Sequence, residues 1–131
     1  MILGIETSCD ETAVAVARAD GALLAEVVRS QVETHARYGG VVPELAGRRH
    51  IETIDQVVRE ALTSAGIGPR ELSAVAVTGG PGLIGALLVG VAYGKALAYA
   101  LQIPLLPVIT WKAICARPAW ALEPWPRPSW R

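Results

Sequence analysis

The sequence has few of the residues that mark secreted, metal-binding or nucleic-acid-binding proteins. Its only two cysteines, Cys9 and Cys115, have no CxxC spacing, which is typical of free thiols in a reducing compartment. Its only two histidines, His35 and His50, lie outside any HExxH motif, so a metal site within this chain is not expected. The formal net charge is zero, which excludes a global field that would attract nucleic acid or anionic lipid.

The sequence also lacks a targeting segment. Its first residues, MILGIETS, have neither the basic region nor the long apolar region of a signal peptide, so we expect a cytoplasmic protein. Residues 72–110 carry a single charge, Lys95, and exceed the length that spans a bilayer. The GGPG sequence at residues 79–82 would interrupt a helix, which favours a strand, a loop and a buried helix over a membrane span.

Hydrophobic patterning predicts seven elements in the order β-β-β-α-β-α-β, an α/β fold with helices covering a mixed sheet. The first three strands are joined by connections too short for crossovers, which predicts an antiparallel meander followed by parallel crossover units. The predicted strands are residues 2–5, 12–18, 23–31, 72–77 and 103–108, and the predicted helices are residues 44–65 and 83–101. Residues 34–44, with two adjacent glycines, are predicted to form a loop.

The densest group of polar side chains is ETSCDET, residues 6–12, directly after the first strand. It holds three carboxylates and three hydroxyls, which can bind phosphate together with backbone N–H groups, hold a metal or orient a nucleophile. A solvated hairpin loop explains the same composition equally well. The residues alone leave both interpretations open.

Other polar residues give weaker signals. TGGPGLIGALLVG, residues 78–90, joins a strand to a helix and fits either an anion site or a tight packing turn. Surface or loop positions are predicted for both histidines. Cys9 has no histidine beside it in sequence, so nucleophilic catalysis is not expected. Arg37 and Tyr38 either line a cleft or cap the glycine loop.

Three stretches, ILGIETSCDET, HARYGGVVPELAGRRH and TGGPGLIGALLVG, closely resemble the N-terminal part of TsaD proteins, a family formerly called O-sialoglycoprotein endopeptidases or glycoproteases. The resemblance covers residues 1–108. It implies the first domain of the actin-like ATPase fold (sugar kinase, Hsp70 and actin, RNase H-like). It also implies transfer of threonylcarbamoyl from its adenylate to the N6 amine of the adenosine just after the anticodon of tRNA. The implied partners are a TsaB-like paralogue, a TsaE-like ATPase and tRNA.

The resemblance also implies roles for individual residues. Asp10 and Glu11 are the expected catalytic residues. The expected substrate-binding residues come from the first two motifs and are Ser8, Thr12, His35, Tyr38 and Gly39. The intact family binds a divalent metal, iron or zinc, and a threonylcarbamoyl-adenylate. Its metal histidines belong to an HH[ML]EGH motif after the last strand, where this sequence reads ITWKAI, so we expect neither metal nor transferase activity from this chain alone.

The codons beneath ITWKAI, residues 109–114, offer an explanation for the departure. They are ATH-ACN-TGG-AAR-GCN-ATH, and a frame beginning at the last base of the Val108 codon reads NAT-HAC-NTG-GAA-RGC-NAT. The fourth triplet is glutamate, and the others can encode His, His, Leu or Met, Gly and His. We therefore infer that residues 109–131 are an irregular, non-family tail translated out of frame, following a lobe of residues 1–108. The alternative is a genuine Pro/Trp-rich, partner-binding tail, since all four tryptophans lie there.

Two further functions have to be weighed for such a fragment. The chain could be a non-catalytic module whose helices, residues 44–65 and 83–101, pack against a TsaB-like paralogue, as the resemblance implies. A glycoprotease activity is not supported, because no nucleophile–base pair is visible. A lobe without its second lobe exposes apolar surface, so we also expect self-association.

Overall fold

A computed structural model describes residues 1–109, which form a five-stranded mixed sheet with its long helices on one face. The strands are β1 (Ile2–Glu6), β2 (Glu11–Ala17), β3 (Leu23–Ser30), β4 (Ala74–Gly80) and β5 (Leu105–Ile109). The helices are α1 (Val32–Ala36), α2 (Pro43–Ser64) and α3 (Ile84–Leu101), with a 3-10 turn at Pro69–Glu71.

The strand order is β3-β2-β1-β4-β5. The pairs β1–β2 and β2–β3 are antiparallel because their connections are short, and β1–β4 and β4–β5 are parallel because a helix precedes each later strand. Leu3 pairs with Val16 on one side and with Val75 on the other. The predicted meander and parallel crossovers are confirmed.

The core lies between the sheet and the pair α2–α3. Large residues at alternate positions of the strands point to this side, among them Ile5, Val14 and Val77, and are buried there. Helix α3 lies close to the sheet because it has glycine where it crosses the strands: Gly94 packs on Val77. The Gly/Ala-rich sequence of α3 allows this close approach.

The opposite face of the sheet has small residues at its centre, namely Gly4, Ala13, Ala15 and Ala76, which form a trough of about 350 Å³. No helix within residues 1–109 covers this face. Larger residues flank the trough on the two edge strands, with Val28 on β3 and Leu106 on β5, both exposed. Pro107 lies in β5 and pairs with Val77.

Most boundaries differ from those predicted by one to three residues. The largest shift is in β4, which was expected at residues 72–77 and spans Ala74–Gly80, and β5 starts at Leu105 and not at residue 103. The predicted loop 34–44 begins with the end of α1, because His35 turns inward and its partners hold one helical turn. Helix α2 starts at Pro43, a residue suited to the first helical position. Strand β5 extends to Ile109, one residue beyond the predicted strand and lobe. The remainder of the predicted tail, residues 110–131, lies outside the described residues.

Helix α3 is long and apolar enough to cross a membrane by length and composition, a test that core helices of soluble proteins also pass. Residues 72–109 do not form one continuous helix, because β4 ends at Gly80 and α3 begins at Ile84. The glycine-rich turn therefore interrupts the apolar run as predicted.

Candidate functional site

The sequence motifs meet at one edge of the sheet. Strands β1, β4 and β5 are parallel, so their carboxyl ends lie together, and β3 ends at the same edge because it is antiparallel to β2. The carboxylate loop, defined as residues 7–10 between β1 and β2, projects from this edge beside the glycine turn before α3. The chain also leaves β5 here, at Ile109. In open α/β sheets this edge is where ligands bind.

Helix α3 anchors the first half of the carboxylate loop. The buried Thr7 hydroxyl donates to the Ala86 carbonyl at 2.8 Å and accepts from the Gly90 N–H at 3.2 Å. The Leu83 N–H donates to the Ser8 carbonyl at 2.8 Å. A Cβ at Gly82 would lie 2.6 Å from that carbonyl oxygen, so the turn requires glycine there. The predicted packing turn is thus a backbone contact with this loop.

Helix α2 and strand β3 anchor the second half of the loop. The His50 ring nitrogen Nε2 lies 3.0 Å from the Cys9 carbonyl oxygen. The Gln31 N–H donates to the Asp10 carbonyl at 2.9 Å. The Thr12 hydroxyl, at the start of β2, lies 2.8 Å from His50 Nδ1. The loop backbone is therefore held from three directions.

Glu6 joins the ends of two parallel strands. Its carboxylate accepts hydrogen bonds from the Ser8 N–H and from the Thr78 hydroxyl on β4. A carboxylate bound in this way fixes the exit of the chain from β1. Glu6 therefore supports the loop rather than projecting freely from it.

The open side of the loop carries Ser8, Cys9 and Asp10, followed by Glu11 at the start of β2, and all four are partly or fully exposed. Burial, together with the hydrogen bond to Asp10 and its charge, raises the pKa of the Cys9 thiol above its ordinary value of 9.0. A protonated thiol is a weak nucleophile, in keeping with the expectation that Cys9 is not catalytic. The carboxylates of the partly exposed Asp10 and the exposed Glu11 are the reactive groups that remain in this described segment.

Asp10 also lines a small cavity of about 190 Å³ with His35, Gly40 and the backbone around Val41. The glycine loop, defined as residues 37–42, lines one side of this cavity and contains Gly39 at φ +72°, where a side chain would be strained. Tyr38 is 52% exposed, with the Arg37 guanidinium 4.9 Å from its ring centroid.

The structure brings together Ser8, Asp10 and Glu11 with exposed surface, and places Tyr38 and Gly39 in the glycine loop. Two other residues that were expected to bind substrate lie in the interior: Thr12 is fully buried and His35 is 4% exposed. The prediction of surface positions for the histidines is wrong, because His50 is also fully buried. The polar partners of these rings come from distant parts of the chain, which sequence spacing does not show.

Three supporting residues are missing from the predicted site residues: Thr7, Gln31 and His50. Each acts through a hydrogen bond to a residue far along the chain, as in the 79-residue separation of Thr7 from Ala86. A buried polar residue needs such partners. No signal in the local sequence indicates this role, because Thr7 lies between two polar residues and His50 follows two arginines.

The described residues do not form a metal site. No group of three His, Cys, Asp or Glu side chains within residues 1–109 is arranged to hold an ion. The ring nitrogens of both His35 and His50 lie within hydrogen-bond distance of protein groups. The metal that the family resemblance implies would therefore need ligands from elsewhere.

Known proteins of one family resemble this chain in sequence. The family model described as TsaD: tRNA N6-adenosine threonylcarbamoyltransferase matches residues 22–128. A tRNA N6-adenosine threonylcarbamoyltransferase of Streptococcus uberis is 55% identical over 107 residues, which are 82% of this chain and 32% of that protein. One from Streptococcus pyogenes serotype M5 is 57% identical, again over 82% of this chain, and 31% of its own length is covered.

Solved structures resemble the same lobe. A Pseudomonas aeruginosa protein described as uncharacterized, with similarity to peptidase YeaZ, has a TM-score of 0.63 and 27% identity over 82% of this chain and 42% of its own. YeaZ from P. aeruginosa has a TM-score of 0.59 and 25% identity over 82% and 44%, respectively. YeaZ has the actin-like ATPase fold, so the expected fold is confirmed.

The match corresponds to the N-terminal part of the curated relatives, and the chain spans about a third of their length. The family model covers most of this sequence, and the chain therefore belongs to the TsaD family.

Proposed function

We propose that the carboxylate loop and the glycine loop are the adenylate-facing part of a threonylcarbamoyl-transfer site, and that this chain supplies only that part. The observation that carries the proposal is the anchoring of the loop backbone by α2, α3 and the end of β3, with the carboxylates of Asp10 and Glu11 partly or fully exposed on the open side. Rigid support of a few free carboxylates is what positioned acid–base chemistry requires.

The proposed reaction needs a proton acceptor. The N6 amine of adenosine attacks the carbonyl carbon of the threonylcarbamoyl group, a C–N bond forms, and the C–O bond to the phosphate breaks as AMP leaves. The amine proton passes to a carboxylate, for which Asp10 and Glu11 are the candidates. Ser8 and the start of α3 beside it supply polar groups on the phosphate side.

The site is incomplete within this chain. The described residues hold no set of metal ligands, and the relatives are about three times as long as the segment that matches them. We propose that the divalent metal of the intact family, iron or zinc, is held by residues that follow Val108 in the family frame and by a second domain. The metal would supply a Lewis acid when bound. The chain alone is therefore expected to be inactive.

A chimera tests this proposal. Residues 1–108 replace the corresponding segment of the S. uberis relative, and threonylcarbamoyl transfer to tRNA is measured with the paralogue and ATPase partners present. The chimera should be active and the 131-residue chain inactive. Asp10→Asn or Glu11→Gln in the chimera should lower kcat by about 100-fold or more if that carboxylate is the base. Glu44→Gln, on the exposed start of α2, is the matched control. Turnover by the 131-residue chain would contradict the proposal.

We also propose a docking face for a TsaB-like paralogue in the groove between α2 and α3, about 510 Å³ in volume. Ile51 and Leu88 on its walls are 66% and 61% exposed, unusual for large apolar residues. Tyr93 donates to Asp55 across the groove at 2.9 Å, and burial raises the pKa of Tyr93 to about 12, so the bond persists at neutral pH. The YeaZ structures share this lobe, so a paralogue can present a matching helix pair.

The remaining partners, tRNA and a TsaE-like ATPase, are proposed for the complete protein, because the family assignment implies them. The isolated cysteines support a cytoplasmic location, away from the membrane. The trough on the uncovered sheet face supports self-association of this fragment.

A further inference from the structure

Two buried histidines connect the glycine loop to the carboxylate loop through one glutamine. The Val42 N–H lies 3.3 Å from His35 Nδ1, and His35 Nε2 lies 3.2 Å from Gln31 Oε1. Gln31 Nε2 lies 3.4 Å from His50 Nδ1, and His50 Nε2 lies 3.0 Å from the Cys9 carbonyl oxygen. The four contacts form one unbroken series between two backbone groups.

The first half of the series fixes the state of His35. A backbone N–H can only donate, so His35 Nδ1 accepts from Val42 and carries no proton. His35 Nε2 must then carry the proton and donate it to the Gln31 side-chain oxygen. This contact in turn identifies which end of the Gln31 amide is oxygen.

The second half fixes the state of His50. The Gln31 side-chain nitrogen is a donor only, so it donates to His50 Nδ1 and to the Ala46 carbonyl. His50 Nε2 then carries the proton and donates it to the Cys9 carbonyl, which can only accept. Each group in the series donates to the next, from the Val42 N–H to the Cys9 carbonyl, and both rings are neutral.

We propose that His50 is a positioning residue: as the neutral Nε2–H tautomer, linked through Gln31 and His35 to the glycine loop, it fixes the Cys9 carbonyl and with it the Asp10 and Glu11 carboxylates. The connection to catalysis rests on the proposed function, whereas the tautomer and the coupling of the two loops do not. His50 itself is fully buried and contacts no substrate.

A charged His50 would disrupt this arrangement. Its Nδ1–H would face the donor nitrogen of Gln31, and only the Thr12 hydroxyl could accept from it. The other titratable groups that act on the ring are Glu6 and Asp10, which favour the cation, and His35, which opposes it. The hydrogen bonds of the series therefore keep their donor-to-acceptor order while the His50 ring is neutral.

The tautomers can be read directly from the 131-residue chain. Long-range ¹H–¹⁵N correlation spectra of the imidazoles at about pH 7 should show a protonated Nε2 and an unprotonated Nδ1 for both histidines. A protonated Nδ1 on His50 in that spectrum, in the neutral or the charged ring, would overturn the proposal. The measurement needs no variant to fold.

Paired variants test the positioning role. The Gln31 N–H donates to Asp10, so its hydrogen exchange reports on the loop, and the Val75 N–H, bonded to Pro104 in the sheet, reports on global unfolding. His50→Leu removes the donor to Cys9 and should speed exchange at Gln31 about tenfold more than at Val75. His50→Gln can place an amide nitrogen near the Nε2 position and should restore the wild-type ratio. Equal acceleration at both amides, or no rescue by glutamine, would refute a positioning role.

The outcomes separate this inference from the proposed function. An inactive wild-type chimera with the predicted tautomers would contradict the transfer function and leave the coupling of the loops intact. An active chimera in which His50→Leu keeps the wild-type kcat would contradict the positioning role alone.

Discussion

Thr7 occupies the space that a side chain at Gly90 would fill. A Cβ built on Gly90 would lie 2.5 Å from Thr7 Oγ1, and the Gly90 N–H already donates to that oxygen. The carboxylate loop therefore packs directly against the backbone of α3, at a position where only glycine leaves enough space. The Gly/Ala-rich sequence of α3 reflects a contact with the candidate site as well as with the sheet.

Gly90→Ala should destabilise the chain by about 1–3 kcal/mol, because the new methyl group overpacks the contact with Thr7. Gly85→Ala is the matched control, since a Cβ there meets no atom within 4 Å. It should be neutral or stabilising by up to about 1 kcal/mol, as alanine favours helix. Urea denaturation of both variants gives the comparison, and similar stabilities would contradict the requirement for glycine at position 90.

Stability should rise with pH as His50 loses its proton. Burial lowers the pKa of His50 in the folded state below its ordinary value of 6.5, so the unfolded chain binds more protons just below that pH. The stabilising contribution is complete above 6.5 and is lost as the pH falls through the folded pKa. Hydrogen bonds from Ala22 to Asp20 and from Arg59 to Asp55 lower the pKa of those carboxyls, whose contributions are lost only below 3.8.

Urea unfolding of the wild type and of His50→Gln at about pH 5 and about pH 7.5 measures this contribution. The variant should show a smaller loss of stability on acidification. An identical pH dependence in the two proteins would show that His50 does not titrate differently on folding.

Leu88→Lys should weaken binding of the TsaB-like paralogue about 30-fold or more, because it places a charge in the apolar groove. Leu88 is largely exposed, so the stability of the isolated chain should be almost unchanged. Leu23→Lys, at a similarly exposed position on β3, is the control. Isothermal titration with the paralogue measures the affinity; equal affinities for the two variants would exclude the groove as the docking face.

The fragment should self-associate through the uncovered sheet face. Val28→Lys with Leu106→Lys places charges on both sides of the trough and should shift sedimentation toward the monomer. Ile84→Lys, on the helical side, should leave the association unchanged. If only the Ile84 variant dissociates, the copies meet through the helices instead.

The gene should contain the family motif in the shifted frame. Sequencing the DNA across the Val108 codon should show that one added base makes the following codons read HHLEGH or HHMEGH. The chain made from the corrected reading frame should bind a divalent metal, measured by metal analysis after gel filtration, whereas the 131-residue chain should not. Absence of the motif from the shifted frame would favour a genuine tail.

The fold could be predicted from sequence wherever one local rule dominated. Short connections required the antiparallel meander, and apolar strands alternating with helices required the parallel pairs. Helix α1 was missed because five residues carry no detectable period. Its stability comes from the burial of His35, whose ring contacts Gln31 within the same turn and the Val42 N–H beyond the helix.

The candidate site could be predicted only in part, for a related reason. The free carboxylates Asp10 and Glu11 are visible in the sequence because polar groups are dense there. Their support is not visible, since it depends on contacts such as His50 with Cys9, separated by 41 residues. Thr12 was assigned to the substrate from the same motif, yet the alternation of β2 turns its side chain toward the helices.

Pro107 limits the ways in which copies of this sheet can associate. An open edge strand is a template for adding further strands, and both β3 and β5 are edges within the described residues. Proline in the middle of β5 has no N–H to offer such a ladder, and the other edge carries the charged residues Glu26 and Arg29. Assemblies of this fragment should therefore be discrete, with sheets packed face to face, and should not grow into cross-β fibres.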